Sequence, residues 1–255
     1  MDSFETPGFS PRPPTSVPPP GLEPAAPYEA EPTGEEVARR LTPSKVFVGL
    51  GVAIIASVVM WLIIGVLFAV AGADTDSHGF QFAATFAGDV ALVLAAVFLT
   101  ADLGRPTWAT FGFRRFRPSA IGWVLVAFVA YLVLAAIYTQ LVNPPQEDLP
   151  EQLGADESVL LAVLTGVFVI VIAPLVEEFF FRGFLYQGLR NSWGVPLGVL
   201  ASAVTFSAIH LALDKFVPLV ILGVALALLR EKTGSLWPCI MLHALNNAIA
   251  FAVIL

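Results

Sequence analysis

From residue 46 onward the chain is a succession of apolar runs separated by short polar loops, whereas residues 1–44 show no apolar periodicity. Seven runs reach or approach the roughly 20 residues that an α-helix needs to cross hydrocarbon. They fall at 46–71, 80–100, 120–141, 159–181, 195–213, 216–229 and 236–255. The sixth is short enough to be tilted or partly re-entrant. The fourth should continue as helix through Tyr186 to Arg190, because nothing breaks it before Asn191-Ser192-Trp193-Gly194. The pattern predicts an all-α fold, a polytopic membrane helical bundle with about seven transmembrane helices over residues 45–255.

Composition agrees with that reading. Apolar residues make up 57% of the 255 and charged residues 13%, about half the charged fraction of a soluble domain. Residues 1–44 hold 11 of the 20 prolines, seven acidic and three basic residues. Such a segment buries too little surface to offset its ordering entropy and is expected to be a disordered, Pro-rich cytoplasmic tail. It lacks the basic and apolar regions of a signal peptide. The net charge of −7 and the absence of a basic stripe outside the membrane-flanking loops argue against nucleic acid as a partner. The single cysteine, Cys239, excludes an intramolecular disulfide framework.

Basic residues orient the bundle. Twelve of the 13 lie in the tail and in alternate loops: Arg12, Arg39, Arg40, Lys45, then Arg105, Arg114, Arg115, Arg117, then Arg182, Arg190, then Arg230, Lys232. Only Lys215 falls opposite, and the 142–158 loop carries five acidic residues and no basic one. The N-terminus is therefore expected in the cytoplasm and the C-terminus outside, and the Ala-, Val- and Pro-rich composition suggests a bacterial inner membrane. Between the second and third runs, Trp108, Phe111, Phe113 and Phe116 alternate with arginines, as suits a segment lying in the interface and contacting anionic lipid.

Few strongly polar side chains lie within the runs: Glu177, Glu178 and Arg182 together, then Asp89, His210, His243, Asn246 and Asn247. Ionisable groups at membrane depth are costly and mark functional sites by default. With about 1.5 Å of rise per residue, Glu177 and His210 lie roughly 20 and 22 Å from one face, and His243 and Asn247 about 12 and 18 Å. Glu178 and Arg182 are four apart, the orientation that favours a helical ion pair. That leaves Glu177, about 100° around the helix, as the candidate base. Pro174 can kink the helix and admit water. A carboxylate and an imidazole sharing one water suit its activation as a nucleophile, and His243 and Asn247 suit stabilisation of the oxyanion that follows. Asn246, Asp89 and Cys239 read as structural, with a proton relay as the second reading for Asp89.

Glu177-Glu178-x-x-x-Arg182, Phe206-x-x-x-His210 and His243-x-x-x-Asn247, in this order on late helices, resemble the three motifs of the CPBP intramembrane protease family. That family includes the CAAX prenyl endopeptidases, bacteriocin-processing and bacteriocin-immunity proteins, and the Abi group. The resemblance covers 159–255, the motif-bearing core, and leaves the first three runs and the tail outside it. It implies an intramembrane endopeptidase acting on membrane-associated protein or peptide substrates, classed as a metalloprotease. Glu177 and His210 would then activate water, Glu178 and Arg182 support them, Phe206 complete the second motif, and His243 and Asn247 hold the oxyanion. It implies no organic cofactor. A divalent metal such as Zn²⁺ on Glu177, His210 and His243 would be compatible with it. The rival expectations are a non-catalytic membrane protein for bacteriocin immunity or envelope scaffolding, and a small transporter. The absence of an internal repeat or of paired broken helices counts against the transporter. The substrate and the oligomeric state are not legible from the sequence.

Overall fold

A computed structural model describes residues 31–75, 77–142 and 159–254. Most of the expected tail and the acidic loop at 143–158 lie outside the described residues. Every regular element among the described residues is helical. They are α1 (Gly34–Arg39), α2 (Pro43–Val70), α3 (His78–Ala101), α4 (Trp108–Phe111), α5 (Ala120–Val142), α6 (Val159–Val167), α7 (Ala173–Glu178), α8 (Tyr186–Ile209), α9 (Phe216–Thr233) and α10 (Trp237–Ile254). Two wide π-helical turns, Phe168–Ile172 and Phe179–Leu185, flank α7.

Four helical stretches among the described residues are long and apolar enough to cross a membrane: Pro43–Val70, Gly79–Ala101, Ala120–Val142 and the 51-residue run Val159–Ile209. α9 and α10, counted as crossings from sequence, are not among them: α9 ends in Arg230, Glu231 and Lys232, and α10 carries His243, Asn246 and Asn247. The 51-residue run is not straight. Gly194 sits at φ 76°, which glycine adopts without steric cost. A Cβ added at Gly198 would lie 3.0 Å from the Arg190 Cα. Eight residues of straight helix would separate the two by about 12 Å, so the chain doubles back at Gly194, where the sequence placed the break.

Residues 33–41 correct the sequence reading, which ran the tail to residue 44. The Thr33 hydroxyl accepts from the Glu36 backbone N–H, and the Glu36 carboxylate accepts from the Thr33 N–H at 2.6 Å, a reciprocal cap that starts α1. The same bonds hold the Glu36 carboxyl below its ordinary range. Val37, Ala38 and Leu41 are buried, and Asn191 donates to the carbonyls of Ala38 and Leu41 at 2.9 and 3.1 Å. These three apolar residues stand too close to a proline-rich stretch to register as a pattern, yet they are enough to dock one turn and a half of helix.

α2 lies along α3, α8 along α9, and α5 against both α9 and α10. One core gathers Val46, Ala96, Phe111, Phe180, Phe184 and Phe206; a second joins Phe128, Leu222, Leu226 and Leu242. The outer faces of α2 and α5, by contrast, expose Trp61, Leu62, Val66, Leu125, Val126 and Val129. Continuous apolar surface of this extent is untenable in water and suits lipid, so the chain is an integral membrane protein. Where α8 crosses α9 there is no room for a side chain: a Cβ on Gly223 would fall 2.9 Å from the Ala203 Cα, the close approach that small residues permit between membrane helices. Gly223→Val should therefore cost about 1–3 kcal/mol by overpacking. Its unfolding midpoint in detergent should fall by several degrees, and a midpoint equal to wild type would show that the crossing is looser than described.

Candidate active site

α7 is six residues long and is held between the two wide turns, so its two glutamates leave it at neighbouring positions about 100° apart. Glu178 points inward and is fully buried. Its Oε1 accepts from the Arg182 Nη1 and from the His243 Nδ1, each at 2.9 Å. Arg182, also fully buried, donates through Nη2 to the Gly223 carbonyl at 3.3 Å, and its guanidinium carbon stands 4.4 Å over the Phe206 ring. One ion pair thus ties the run from α7 into α8, the middle of α9 and the face of α10.

Glu177 points to the other side, with 19% of its side chain exposed. Its Oε2 is buried and makes no hydrogen bond. The His210 Nε2 lies 3.8 Å from it and the His243 Nε2 3.9 Å. These distances are too long for direct hydrogen bonds and fall where a bridging water is the natural question. The far nitrogens of both rings face acceptors: Nδ1 of His210 the Phe206 carbonyl at 2.7 Å, Nδ1 of His243 the Glu178 carboxylate. A carbonyl or a carboxylate only accepts, so both Nδ1 atoms carry the proton. In the neutral rings each Nε2 then presents a lone pair toward Glu177. With both rings neutral three acceptors converge, and a proton on either Nε2 makes that nitrogen a donor.

His210 lies at the very end of its helix, although the fifth apolar run continues to 213. α8 ends at Ile209, His210 is its cap, and Leu211 follows at φ 55°. Left-handed backbone at a helix end normally falls to glycine, and for leucine it carries strain of the kind stored at functional sites. The ring lies back on the last turn of its own helix, against Phe206, with Nε2 toward Glu177.

Asn247 is placed differently from His243. Its Nδ2 donates to the Val169 carbonyl at 2.9 Å, within the first wide turn. That carbonyl lacks a backbone donor for a simple reason. The Ala173 N–H bonds to the Phe168 carbonyl, five residues back, so the donor due to Val169 would be residue 174, a proline without an N–H. Pro174 thus widens the helix where a kink was expected, and Asn247 supplies the missing bond. One N–H of its amide remains uncommitted, while Asn246 donates to its Oδ1 at 3.3 Å. Phe206 packs edge-on against both imidazoles. Phe179, Phe180 and Phe181 are buried inside the bundle. Asp89 is buried on α3, which packs against α7, and its Oδ2 has no partner.

The sequence did not point to the carbonyls of Val169, Phe206 and Gly223, since backbone acceptors leave no residue signature. Pro174 was the one available sign, through the donor it removes. As a donor set, Glu177, His210 and His243 have the chemistry of a zinc site. Ligands about 2.0–2.1 Å from a tetrahedral ion stand about 3.3–3.4 Å apart, however, and no group of three among the described residues closes to metal spacing. They do not fit an ion as placed, and no step below passes through one.

The Glu178–Arg182 pair makes a sharp stability test. Arg182→Ala should cost about 3–5 kcal/mol, because it leaves a buried carboxylate uncompensated. Glu178→Leu combined with Arg182→Met should recover most of that loss. A double-mutant cycle on the unfolding midpoint that shows simple additivity would contradict the pairing.

Residues 159–249 match the family described as type II CAAX prenyl endopeptidase Rce1-like. Over 132 residues, half of this chain, the protein is 26% identical to an uncharacterized 24.3 kDa protein of Escherichia coli, and the alignment spans 61% of that protein's length. No solved structure matches. The matched segment begins at α6 and contains both wide turns and every residue of the Glu177 cluster. Through residues 159–249 the chain is similar to that family.

Proposed function

We propose that this protein is a CAAX-type intramembrane endopeptidase that hydrolyses peptide bonds of membrane-associated proteins or peptides. The observation that carries this reading is Glu177 Oε2, buried, unbonded and faced by two imidazole nitrogens at 3.8 and 3.9 Å. A water placed among them can give one proton to Glu177 while the lone pair of the His210 Nε2 accepts the other as a hydrogen bond. The water oxygen attacks the scissile carbonyl carbon, and its proton passes to Glu177. The carbonyl becomes an oxyanion, for which two donors stand nearby: His243, protonated also at Nε2 and backed by Glu178, and the second N–H of Asn247. When the carbon–nitrogen bond breaks, Glu177 returns its proton to the leaving nitrogen. The substrate's sequence and any lipid attached to it lie outside what these residues specify.

The topology proposed with this mechanism has seven crossings: α2, α3, α5, the two arms of the 51-residue run on either side of Gly194, α9 and α10. The N-terminus lies in the cytoplasm of a bacterial cell and the C-terminus outside the inner membrane. Its support is that, setting aside the buried Arg182, 11 of the other 12 basic residues fall in the tail and in alternate loops.

Three outcomes follow. Glu177→Ala and His210→Ala should each lower cleavage of a membrane peptide at least about 100-fold with little change in unfolding midpoint, and wild-type turnover by either would remove the assignment. After chelation, loss of cleavage restored by Zn²⁺ would place an ion where the water reading places a proton on His243, and full retention would support that proton. Alkaline phosphatase fused after residue 255 should be active and inactive when fused after residue 112; the reverse result would invert the topology.

A further inference from the structure

A second set of charges gathers where α1, α4 and the loop after it, the start of α8 and the end of α9 meet. A cavity of about 190 Å³ there is lined by Arg39, Arg114, Arg190 and Arg230 together with Glu35 and Glu231. Four guanidinium groups against two carboxylates leave the cavity two charges positive: Arg39 and Arg114 share Glu35, and Arg230 has no carboxylate of its own. Glu231 is taken by a two-pronged bond from Arg190, at 2.8 and 2.9 Å, and by the Tyr186 hydroxyl at 2.9 Å. Glu35 is taken by Arg114 at 2.8 Å and by Arg39 at 3.8 Å. Arg230 has no ion pair and no side-chain hydrogen bond among the described residues, although only 8% of it is exposed and its Nε is wholly buried.

The backbone is shaped around that unpaired head. Gly112 lies against the guanidinium at φ 97°, and a Cβ there would fall 2.5 Å from Nη2. The Gly112 carbonyl accepts from the Leu236 N–H at 2.9 Å, and the Ser235 hydroxyl donates to the Arg114 carbonyl at 2.7 Å. The loop after α4 is therefore fixed to the α9–α10 turn with Arg230 between them. A basic residue in the last turn of α9 suits the helix dipole, which explains its position on the helix but not its burial without an acceptor. A buried guanidinium without a counter-charge is costly, and its planar fork matches the paired oxygens of a phosphate. The cavity holds one phosphate group and is too small for a nucleotide. Thr110 and Gln187 add neutral donors to its wall. The neighbouring segment carries Arg105, Arg115 and Arg117 and exposes Trp108, the makeup of a surface at headgroup depth.

We propose that this cavity binds a single phosphate group, that of an anionic lipid headgroup or free phosphate, with Arg230 as its principal ligand. The test uses the full chain in neutral detergent and phosphate-free buffer, titrated separately with dihexanoyl phosphatidylglycerol, dihexanoyl glycerol and inorganic phosphate. Binding is read by native mass spectrometry and by the unfolding midpoint. Saturable binding of phosphatidylglycerol but not of inorganic phosphate would support the site and assign the lipid. Comparable binding of inorganic phosphate would support it and assign the free ion. Arg230→Gln should weaken either at least tenfold, while Arg105→Gln should leave it unchanged. Binding by Arg230→Gln equal to wild type, an equal response to dihexanoyl glycerol, or no saturable binding of either phosphate probe would overturn the proposal. Should Arg230→Gln fail to fold, hydrogen exchange of the wild-type chain decides: slowing by the bound probe at residues 110–117 and 228–236 supports the site, and slowing elsewhere or none overturns it.

Discussion

A carboxylate held among apolar helices needs a partner for its charge, and in this protein that requirement falls on Glu178. Desolvating an ion costs several kcal/mol even after relaxation, and a partner roughly returns that cost only when the geometry is good. Glu178 has two donors on one oxygen, Arg182 from its own helical run and His243 from α10, while its Oε2 has no hydrogen-bond partner among the described residues. Arg182 is held further by the Gly223 carbonyl and the Phe206 ring, with its Nε left unpaired. The result is positional more than stabilising. α7, α8, α9 and α10 cannot shift independently without leaving a buried charge exposed to a poor partner, and the His243 ring is aimed at Glu177 by the same bond that satisfies Glu178.

Backbone geometry completes the arrangement. Between two wide turns, a short helix presents adjacent glutamates to different surroundings, one sealed and one partly exposed beside two imidazoles. Had the run been a regular α-helix, Val169 would have spent its carbonyl within the helix and Asn247 would have had no anchor there. Pro174 removes one donor, the turn widens, and α10 is tied across the gap by a side-chain amide. His210 reaches the neighbourhood of Glu177 at another irregularity, a helix that stops one residue before it and a leucine held in left-handed backbone. The polar groups of the candidate site therefore sit at the ends and interruptions of helices, while the regular segments supply the frame.

What could be read from the sequence follows from which interactions are local. The Glu178–Arg182 pair is four residues apart on one helix, so spacing alone suggests it. The break at Gly194 is announced by its own residues. Helix positions in α2, α3 and α5 follow from apolar length. By contrast, the bond from Asn247 to Val169 spans 78 residues and ends on a carbonyl, and the end of α8 at Ile209 is set by surroundings that no residue nearby announces. α1 was hidden because three buried apolar residues beside a proline-rich stretch are too few to form a period, while their partner, Asn191, lies more than 150 residues away. The site's residue types were legible; the backbone groups that orient them were not.

Arg182 and Arg230 show how sequence position alone gives the same side chain two different states. Both are more than nine-tenths buried. Arg182 has a carboxylate four residues before it, on the same helix face, and the pair closes within one turn. Arg230 has its nearest carboxylate at the next position, Glu231, which leaves the helix about 100° away. Arg190 then takes Glu231 from the other side with both prongs. The first arginine is therefore spent on holding the fold, and its charge is cancelled on site. The second keeps an uncancelled charge against the bare backbone of Gly112, at the level where the helices give way to the basic, aromatic segment between α3 and α5. Burial without a counter-ion is tolerable only where something outside the chain can serve as one, and that level is where a membrane protein meets phosphate.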